Sequence, residues 1–421
     1  MFVDQVKWES GPLKDRIVHS VTLRIVRTSL LIFFCYLIIG LLLAILPGFV
    51  HLHLGFSTFW AGVAVSSQYA ATLLSRPRAG RMTDLLSPRT TVLVGQLACF
   101  ISGLLLILAV TLEHQVMFCF GVLLMSRVAL GCGESGVATG STTWGLGRVK
   151  PEYAAQVISW SGIASYGGMS VGAPLGIWLE NTFGMMTIGA AITGISLLNF
   201  ALALPLAGVP ILHGDHLPFR EVVDKVFVHG LGLALGTVGF GTIASFTTLY
   251  YASRHWSEPA LAMGLFGACF IATRLIFADT INRWGGFRVA MISFLVESAG
   301  LLVLWSAISP EIALAGASLS GCGFALVFPA LGVEAVRTVA ESDRGSALGV
   351  YTAFLDLAMA VTGPMAGFII GKWGYAAIFL YGSAAAACAF ALILSRAGFE
   401  SSRHEASRSL YKSRAHHTHH N

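Results

Sequence analysis

Three charged residues stand deep inside apolar stretches, where they could carry out chemistry: Arg127, Glu134 and Asp356. A charge at the centre of a bilayer costs about 2.5–3.5 kcal/mol or more, so each one needs a role. Glu134 follows Arg127 by two helical turns, which puts both on one helix face about 10 Å apart. Asp356 has no cation nearby in the sequence, so we predict that it is unpaired. A buried, unpaired carboxylate favours its protonated form and can carry a proton.

We predict that Asp356 and Glu134 bind protons or substrate, and that Arg127 modulates one of them. A structural network is the open alternative, in which Glu134 binds a loop arginine such as Arg81. Glu334 and Arg337, one turn apart, read as a surface pair. No role for Glu297 follows from the sequence.

The composition places these charges in lipid. Of the 421 residues, 55% are hydrophobic and only 11% are charged. A soluble protein has about 25% charged residues, so this chain cannot cover a core with a polar surface. A soluble enzyme, a disordered chain and a disulfide scaffold are thereby excluded. The seven cysteines lie in apolar runs without a CxxC pair, which indicates core residues and no metal site.

Twelve apolar runs are long enough to cross a bilayer, which takes about 20 residues. They are 28–50, 57–76, 90–112, 116–138, 156–179, 185–208, 227–251, 259–278, 287–308, 311–334, 346–371 and 374–395. We therefore predict an all-α membrane protein with twelve transmembrane helices.

Lys and Arg residues are distributed unequally between the two sides. With these spans, 23 of the 26 fall on the side that holds both termini, and Arg254 and Lys372 fall on the other. The positive-inside rule then predicts that both termini lie in the cytoplasm. The predicted regions are a cytoplasmic segment (1–27), a six-helix half (28–208), a cytoplasmic loop (209–226), a second half (227–395) and a cytoplasmic tail (396–421). The histidines at 416–420 are interpreted as an incidental part of this tail rather than a metal site.

An internal repeat supports the two halves. A shift of 198 residues aligns Arg76 with Arg274 and Asp84 with Asn282, and a shift of 190 aligns Gly184 with Gly374. Parallel repeats of six helices predict two pseudo-symmetric halves.

Two further groups of residues have spacings that suggest a structural task. Gly80, Arg81, Asp84 and Arg89 follow the second span, and Asn282 and Arg283 follow the eighth. We expect Gly80 to let two helix ends approach closely and Asp84 to cap the third span. In the fifth span the glycines recur every four residues around a proline, which predicts a smooth packing face with a local bend. This group is Gly168, Gly172, Pro174 and Gly176.

These motifs resemble the signatures of the major facilitator superfamily. Gly80 to Arg89 is similar to the loop signature GxLxDRxGRR, and 278–288 looks like its second copy. Arg127 to Gly133 is similar to RxxxGxG, and Gly168 to Gly176 to the Gly-Pro signature of drug and metabolite antiporters. Residues 70–180 further resemble the bacterial YhhS/YfcJ-type group, described as arabinose-efflux-like permeases. The loop copies depart from the pattern at Leu85, where Arg is usual, and at Asn282, where Asp is usual.

The resemblance implies secondary transport by alternating access, with the two charged loops forming a cytoplasmic gate. It favours a proton-coupled exporter of a sugar, drug or metabolite, acting as a monomer without cofactor, metal or nucleic acid. A proton symporter or facilitator that imports a metabolite is the first alternative. A membrane sensor or enzyme is the second, although no HExxH-type cluster is present. The predicted cavity wall contains Tyr36, Gln68, Tyr69, Trp160, Tyr166 and Thr237.

Overall fold

The computed structural model describes residues 12–150, 153–209, 219–277, 279–340 and 343–396, and within these ranges every regular element is a helix. The long helices are α1 (Pro12–Leu43), α2 (Thr58–Leu85), α3 (Pro88–Thr111), α4 (Val116–Leu146), α5 (Ala154–Phe183), α6 (Met185–Ala203), α7 (Phe219–Ser253), α8 (Pro259–Ile276), α9 (Gly286–Trp305), α10 in two pieces (Pro310–Phe324 and Val327–Arg337), α11 (Arg344–Trp373) and α12 (Ala377–Arg396). Short helical turns extend α1 (Leu46–Gly48, Phe49–His53), and Thr280–Trp284 precedes α9.

Each predicted span corresponds to one of these helices, so the predicted fold class is confirmed. Ten of the helices in the described part of the chain are long and apolar enough to cross a membrane by composition alone. The other two, α2 and α5, are 28 and 30 residues long and carry more polar side chains. In α2 some of these side chains, such as Ser66, Gln68 and Thr72, are buried in the interior of the bundle. Their polarity lowers the mean hydropathy of the helix although it spans the bundle.

Local sequence signals define several helix ends. Ser87 caps α3, because its Oγ accepts a hydrogen bond from the backbone N–H of Thr90 at 3.0 Å. The prediction that Asp84 caps this helix is therefore wrong: Asp84 lies in the last turn of α2. Gly184 and Gly374 end α5 and α11 with φ of +82° and +85°, a conformation that favours glycine. The two residues that the repeat aligns thus have the same backbone role.

Helix packing repeats in the same way as the sequence. In the first half α1 packs on α5, and α4 packs on both α2 and α3. In the second half α7 packs on α11, and α10 packs on both α8 and α9. Each second-half contact is the first-half contact displaced by six helices, as expected for two pseudo-symmetric halves. The two halves meet where α2 packs on α11 and where α5 packs on α8. A displacement of six helices converts each of these two contacts into the other.

The predicted glycine face on α5 packs against α1. A Cβ atom on Gly172 would lie 2.9 Å from the Cα of Gly40, and one on Gly176 would lie 2.9 Å from the Cα of Leu41. No side chain fits at these positions without separating the helices. The helix remains continuous through Pro174. The glycines of the motif let α5 and α1 of the same half pack closely.

The halves touch at one end of the bundle and separate at the other. We call the end where α1 begins and α12 ends the terminal side, and the opposite end the far side. Towards the far side, Thr58 Oγ1 donates to the carbonyl of Gly367 at 2.7 Å, and Ser66 Oγ donates to the carbonyl of Met359 at 3.0 Å. Towards the terminal side, Gly345 and Gly349 of α11 are exposed. A cavity between the halves is therefore closed at the far side and open at the terminal side.

Candidate functional site

The cavity has a volume of about 220 Å³ and is bounded by both halves. Its wall is largely apolar, with hydroxyl groups from α4 and α5 and three charged side chains. The charged residues and the tyrosines of the wall are Arg76, Glu134, Asp356, Tyr36, Tyr69 and Tyr166. A mostly apolar cavity with a few convergent polar groups is the usual form of a small-molecule site.

Arg76 and Asp356 form an ion pair between Nε and Oδ2 that joins α2 of the first half to α11 of the second. Asp356 is almost fully buried, while the side chain of Arg76 is 17% exposed to the cavity. The prediction of an unpaired Asp356 is thus wrong. It failed because α2 continues to Leu85 rather than ending near residue 76, which places Arg76 within the bundle. The partner is 280 residues away in the sequence, beyond the reach of local pattern.

Glu134 is held by two residues of α2. Its Oε2 accepts hydrogen bonds from Gln68 Nε2 at 2.9 Å and from Thr72 Oγ1 at 3.0 Å. The alternative partner, Arg81, is exposed at the end of α2. Hydrogen bonds from an amide and a hydroxyl stabilise a buried carboxylate while leaving it without a counter-charge.

Arg127 reaches the same network through Gln68. Its Nη2 donates to Gln68 Oε1, so the two ends of one amide group connect the guanidinium to the Glu134 carboxylate. Arg127 is fully buried, and its Nε and Nη1 have no hydrogen-bond partner among the described residues. Gln68 therefore gives a physical route for the predicted influence of Arg127 on Glu134.

Tyr166 lies at the centre of an aromatic cluster from three helices of the second half. Its ring centroid is 5.1 Å from that of Phe270 and 5.7 Å from that of Phe328. The guanidinium of Arg274 stacks over the Tyr166 ring at 5.7 Å, a cation–π contact between α8 and α5.

The repeat relates this stack to the ion pair. The shift of 198 aligns Arg274 with Arg76, and the shift of 190 aligns Tyr166 with Asp356. Each half thus supplies one arginine to the other half, at equivalent places. One arginine meets a carboxylate and the other meets an aromatic ring.

Three of the predicted wall residues lie elsewhere. Gln68 stands behind the wall, in the network with Glu134. Trp160 lines a separate groove between α1, α5 and α8. The hydroxyl of Thr237 donates to the Leu233 carbonyl of its own helix at 2.8 Å and is not part of the wall. Helical periodicity fixes which residues share a face, but not which neighbouring helix that face meets.

The predicted gate residues are apart in this conformation. A Cβ on Gly80 would meet no atom within 4 Å, so the expected close approach of helix ends is absent. Asp84 and Asn282 are exposed, and Asp84 forms no ion pair within the described ranges. Arg89 Nη2 donates to the Leu204 carbonyl at 2.6 Å, and Arg283 pairs with Asp279 at 2.7 Å. Each of these arginines is held within its own half.

The remaining charged residues lie outside the cavity. Glu334 pairs with Arg337 at 3.1 Å, as predicted, and also accepts a hydrogen bond from the backbone N–H of Gly286. Glu297 is buried beside Gly236 and Gly239 of α7, without an ion-pair partner among the described residues. The histidines of the C-terminal tail lie outside the described residues, within which no cluster of metal ligands is found.

A twelve-helix membrane bundle of two related halves, with a central cavity between them that contains a few charged side chains, defines the class of solute transporters with parallel repeats. Comparison with known proteins gives the family. A sequence model of the Major Facilitator Superfamily matches residues 28–288 and 229–417, so the chain belongs to this superfamily of transporters rather than to an enzyme family.

Relatives support this membership over nearly the whole chain. An uncharacterized MFS-type transporter of Burkholderia pseudomallei (strain K96243) is 50% identical over 377 residues, which cover 90% of this chain and 93% of the relative. One of Pseudomonas aeruginosa (strain UCBPP-PA14) is 49% identical over 383 residues, covering 91% and 95%.

Solved structures share the fold at low sequence identity. The D-xylose-proton symporter matches with a TM-score of 0.73 and 15% identity, covering 89% of this chain and 97% of that chain. The human organic anion transporter MFSD10 matches with a TM-score of 0.69 and 17% identity, covering 88% and 98%. The nucleoside transporter NupG gives a TM-score of 0.69 at 14% identity, covering 88% and 99%.

Proposed function

We propose that the protein is a proton-coupled secondary transporter that exports a small organic solute, a sugar, drug or metabolite, by alternating access. The observation that carries the proposal is the Arg76–Asp356 ion pair, because it joins the two halves in the wall of the cavity. A proton on Asp356 removes the negative charge and breaks this link. Removing one partner of a buried pair costs about 3–5 kcal/mol, enough to shift an equilibrium between two conformations.

Glu134 is the second proposed proton or substrate group, with Arg127 modulating it through Gln68. It shares the cavity wall with Arg76 and Asp356. A proton or charged group that binds one carboxylate therefore changes the electrostatic energy of the other. A solute that binds Arg76 or the carboxylates competes with the ion pair. This competition couples the solute to the proton. Tyrosine rings and threonine hydroxyls in the wall suit a cationic or polyhydroxylated solute.

The proposed gate lies on the terminal side and is open in this conformation. Gly80, Arg81 and Asp84 lie at the end of α2, Arg89 lies at the start of α3, and Asn282 and Arg283 follow α8. Both α2 and α8 contact the opposite half. Gly80 has free space beside it, which α11 can fill when the halves close on this side. Asp84 then gains partners from the opposite half.

We further propose that the terminal side faces the cytoplasm of a bacterium and that the protein works as a monomer in the inner membrane. The excess of Lys and Arg on that side supports this orientation. A periplasmic reporter fused after Arg396 is expected to be inactive and a cytoplasmic one active. The opposite pattern overturns the orientation. The similarity of residues 70–180 supports placement in the YhhS/YfcJ-type group.

Transport in inverted membrane vesicles with an imposed pH gradient tests the function. We expect one solute of a panel of sugars, drugs and metabolites to accumulate, and dissipation of the gradient to abolish accumulation. Asp356→Asn is expected to abolish gradient-driven accumulation but to retain solute exchange without a gradient. Asp224→Asn, an exposed carboxylate at the start of α7, is the matched control and is expected to behave as wild type.

The same assay separates the alternatives. Accumulation that requires the opposite gradient identifies a proton symporter that imports its solute. Accumulation that survives dissipation of the gradient removes proton coupling, and wild-type coupling in Asp356→Asn removes this residue from the mechanism. Absence of transport for the whole panel, with a folded protein, favours a sensor.

A further inference from the structure

A second cavity, the lateral groove, lies on the side of the bundle between α1, α5 and α8. It extends along α1 from Val26 to Phe33, along α5 from Trp160 to Gly167 and along α8 from Phe270 to Leu275. Its volume of about 220 Å³ equals that of the central cavity. Leu275 is 66% exposed, and exposed leucines on a membrane bundle face lipid. The groove is therefore open to the surrounding bilayer.

Three residues with polar side-chain groups line this apolar groove: Arg274, Ser29 and Trp160. Arg274 supplies its only charge. The residue is 8% exposed, and its Nη1 has no hydrogen-bond partner among the described residues. The hydroxyl of Ser29 is likewise buried and unpaired within the same ranges. A buried guanidinium is costly unless it is paired, so an anion in the groove would add to the stabilisation that the Tyr166 and Phe270 rings give Arg274.

The internal repeat shows what Arg274 lacks. Its counterpart, Arg76, has the carboxylate of Asp356. At the position equivalent to Asp356, Arg274 meets the ring of Tyr166 instead. No described carboxylate lies within ion-pair distance of Arg274. A matching anion therefore comes from outside the described chain.

The position of Arg274 matches that of a lipid headgroup. It lies in the last turn of α8 on the terminal side, at the level where Val26 and Trp160 begin the groove on α1 and α5. From there the groove continues towards Phe33 and Gly167, which is seven residues or about 10 Å nearer the middle of the membrane. The charge thus sits at the end nearest the surface, and the apolar part runs towards the midplane.

We propose that the lateral groove binds a phospholipid with an acidic headgroup from the leaflet on the terminal side. One acyl chain lies between α5 and α8, and the guanidinium of Arg274 binds the phosphate oxygens of the headgroup region. Guanidinium binds phosphate through two parallel N–H···O bonds, and basic residues between transmembrane helices recognise acidic lipids. This site is separate from the solute cavity. Lipid binding there is therefore expected regardless of which solute is transported.

Photo-crosslinking of the full-length purified protein tests the site. The probe is phosphatidylglycerol with a diazirine in one acyl chain, and the crosslinked residues are mapped by mass spectrometry. We expect crosslinks between residues 26 and 33 and between 160 and 167. Both lipids carry the same phosphate, but phosphatidylcholine adds a choline cation that cancels the net negative charge and repels Arg274. Unlabelled phosphatidylglycerol is therefore expected to compete at least about tenfold better than phosphatidylcholine with the same chains.

Two variants separate the headgroup from the chain. Arg274→Gln is expected to remove the tenfold preference and keep the crosslink sites. Gly167→Leu is expected to reduce crosslinking in the groove about tenfold, since a Cβ there meets no atom within 4 Å and the side chain fills the space. Gly121→Leu, at an exposed glycine of α4 with equally free space, is the control and is expected to leave crosslinking unchanged.

Several results overturn the proposal. Crosslinks spread evenly over the outer helix faces show an ordinary lipid shell. Equal competition by phosphatidylcholine in wild type removes the role of the headgroup. If Arg274→Gln fails to fold, Arg274→Lys keeps the charge without the planar fork and is expected to retain a smaller preference. If Arg274→Lys loses the preference for phosphatidylglycerol but keeps the crosslinks, recognition of the headgroup by charge is contradicted.

Discussion

Gln68 holds two buried charges with the two ends of one amide group. Replacing it by leucine keeps the volume but leaves the Glu134 carboxylate with one hydrogen bond and the Arg127 guanidinium with none among the described residues. We expect Gln68→Leu to lower the free energy of unfolding by about 3 kcal/mol, because each unsatisfied buried charge costs more than a neutral group. Unfolding by SDS in mixed micelles measures this change.

A second buried glutamine provides the matched control. Gln96 is as fully buried as Gln68, but its side-chain amide has no hydrogen-bond partner within the described ranges. Gln96→Leu is therefore expected to be neutral or to stabilise the protein. Equal destabilisation by both substitutions contradicts a bridging role for Gln68.

The Arg76–Asp356 pair makes a second prediction at the scale of residues. Arg76→Gln and Asp356→Asn each leave one buried charge unpaired, so we expect each to cost about 3–5 kcal/mol of unfolding free energy. The double variant is expected to cost less than the sum by about 1–3 kcal/mol. The exposed pair of Arg283 and Asp279, whose side chains are 74% and 62% exposed, is the control. Its coupling energy is expected to stay below about 1 kcal/mol.

The sequence indicates some of the buried charges but not how they are paired. Arg127, Glu134 and Asp356 are identifiable because a charge in an apolar run is costly. Arg76 is not, because it stands where the apolar run fades and resembles a loop residue. Its burial depends on α2 continuing past the run, and its partner is on a helix of the other half. Contacts between distant segments leave no trace in a local pattern.

At the scale of elements, the glycines of α5 divide into two kinds that the sequence does not distinguish. Gly172 contacts the backbone of α1 so closely that a Cβ would lie 2.9 Å from the Cα of Gly40, whereas Gly167 has free space. Gly167→Ala is expected to stabilise the protein by about 0.5–1 kcal/mol through helix propensity. Gly172→Ala is expected to destabilise it by about 1–3 kcal/mol through overpacking.

Unfolding by SDS measures both glycine variants in the same micelles. Because both positions are in α5, the gain in helix propensity from replacing glycine by alanine is the same in both variants. A difference between them therefore reports packing against neighbouring helices. A stabilising Gly172→Ala contradicts the close packing of α1 against α5. A strongly destabilising Gly167→Ala contradicts the open groove beside it.

At the scale of the whole molecule, the repeat predicts the two halves, because aligned residues such as Gly184 and Gly374 take the same backbone conformation. The direction in which the cavity opens does not follow from the repeat. It depends on which end of the contact between α2 and α11 is closed, and the same residues support either state. In the conformation described here the far side is closed, and hydrogen bonds from Thr58 to Gly367 and from Ser66 to Met359 join the two halves there.

The closed far side can be forced apart with a single side chain. A Cβ on Gly367 would lie 2.7 Å from the Cα of Phe59, so Gly367→Leu overpacks the contact between the halves. Overpacking costs about 1–3 kcal/mol, which shifts the balance of the two states by about tenfold. Gly371 is one turn further along α11, where a Cβ would lie 3.8 Å from Thr58 Oγ1. Gly371→Leu is therefore the matched control.

A cysteine in the cavity wall reports the side from which the cavity is open. Thr352 of α11 lines the cavity, and Thr352→Cys in a background without the seven native cysteines is treated with a membrane-impermeant thiol reagent. We expect labelling from the terminal side only. Adding Gly367→Leu is expected to slow this labelling about tenfold and to permit labelling from the far side, whereas Gly371→Leu changes neither. Gly367→Leu is designed to separate α2 from α11 on the far side. If labelling is unchanged in this variant, contact between these two helices is not what closes the far side.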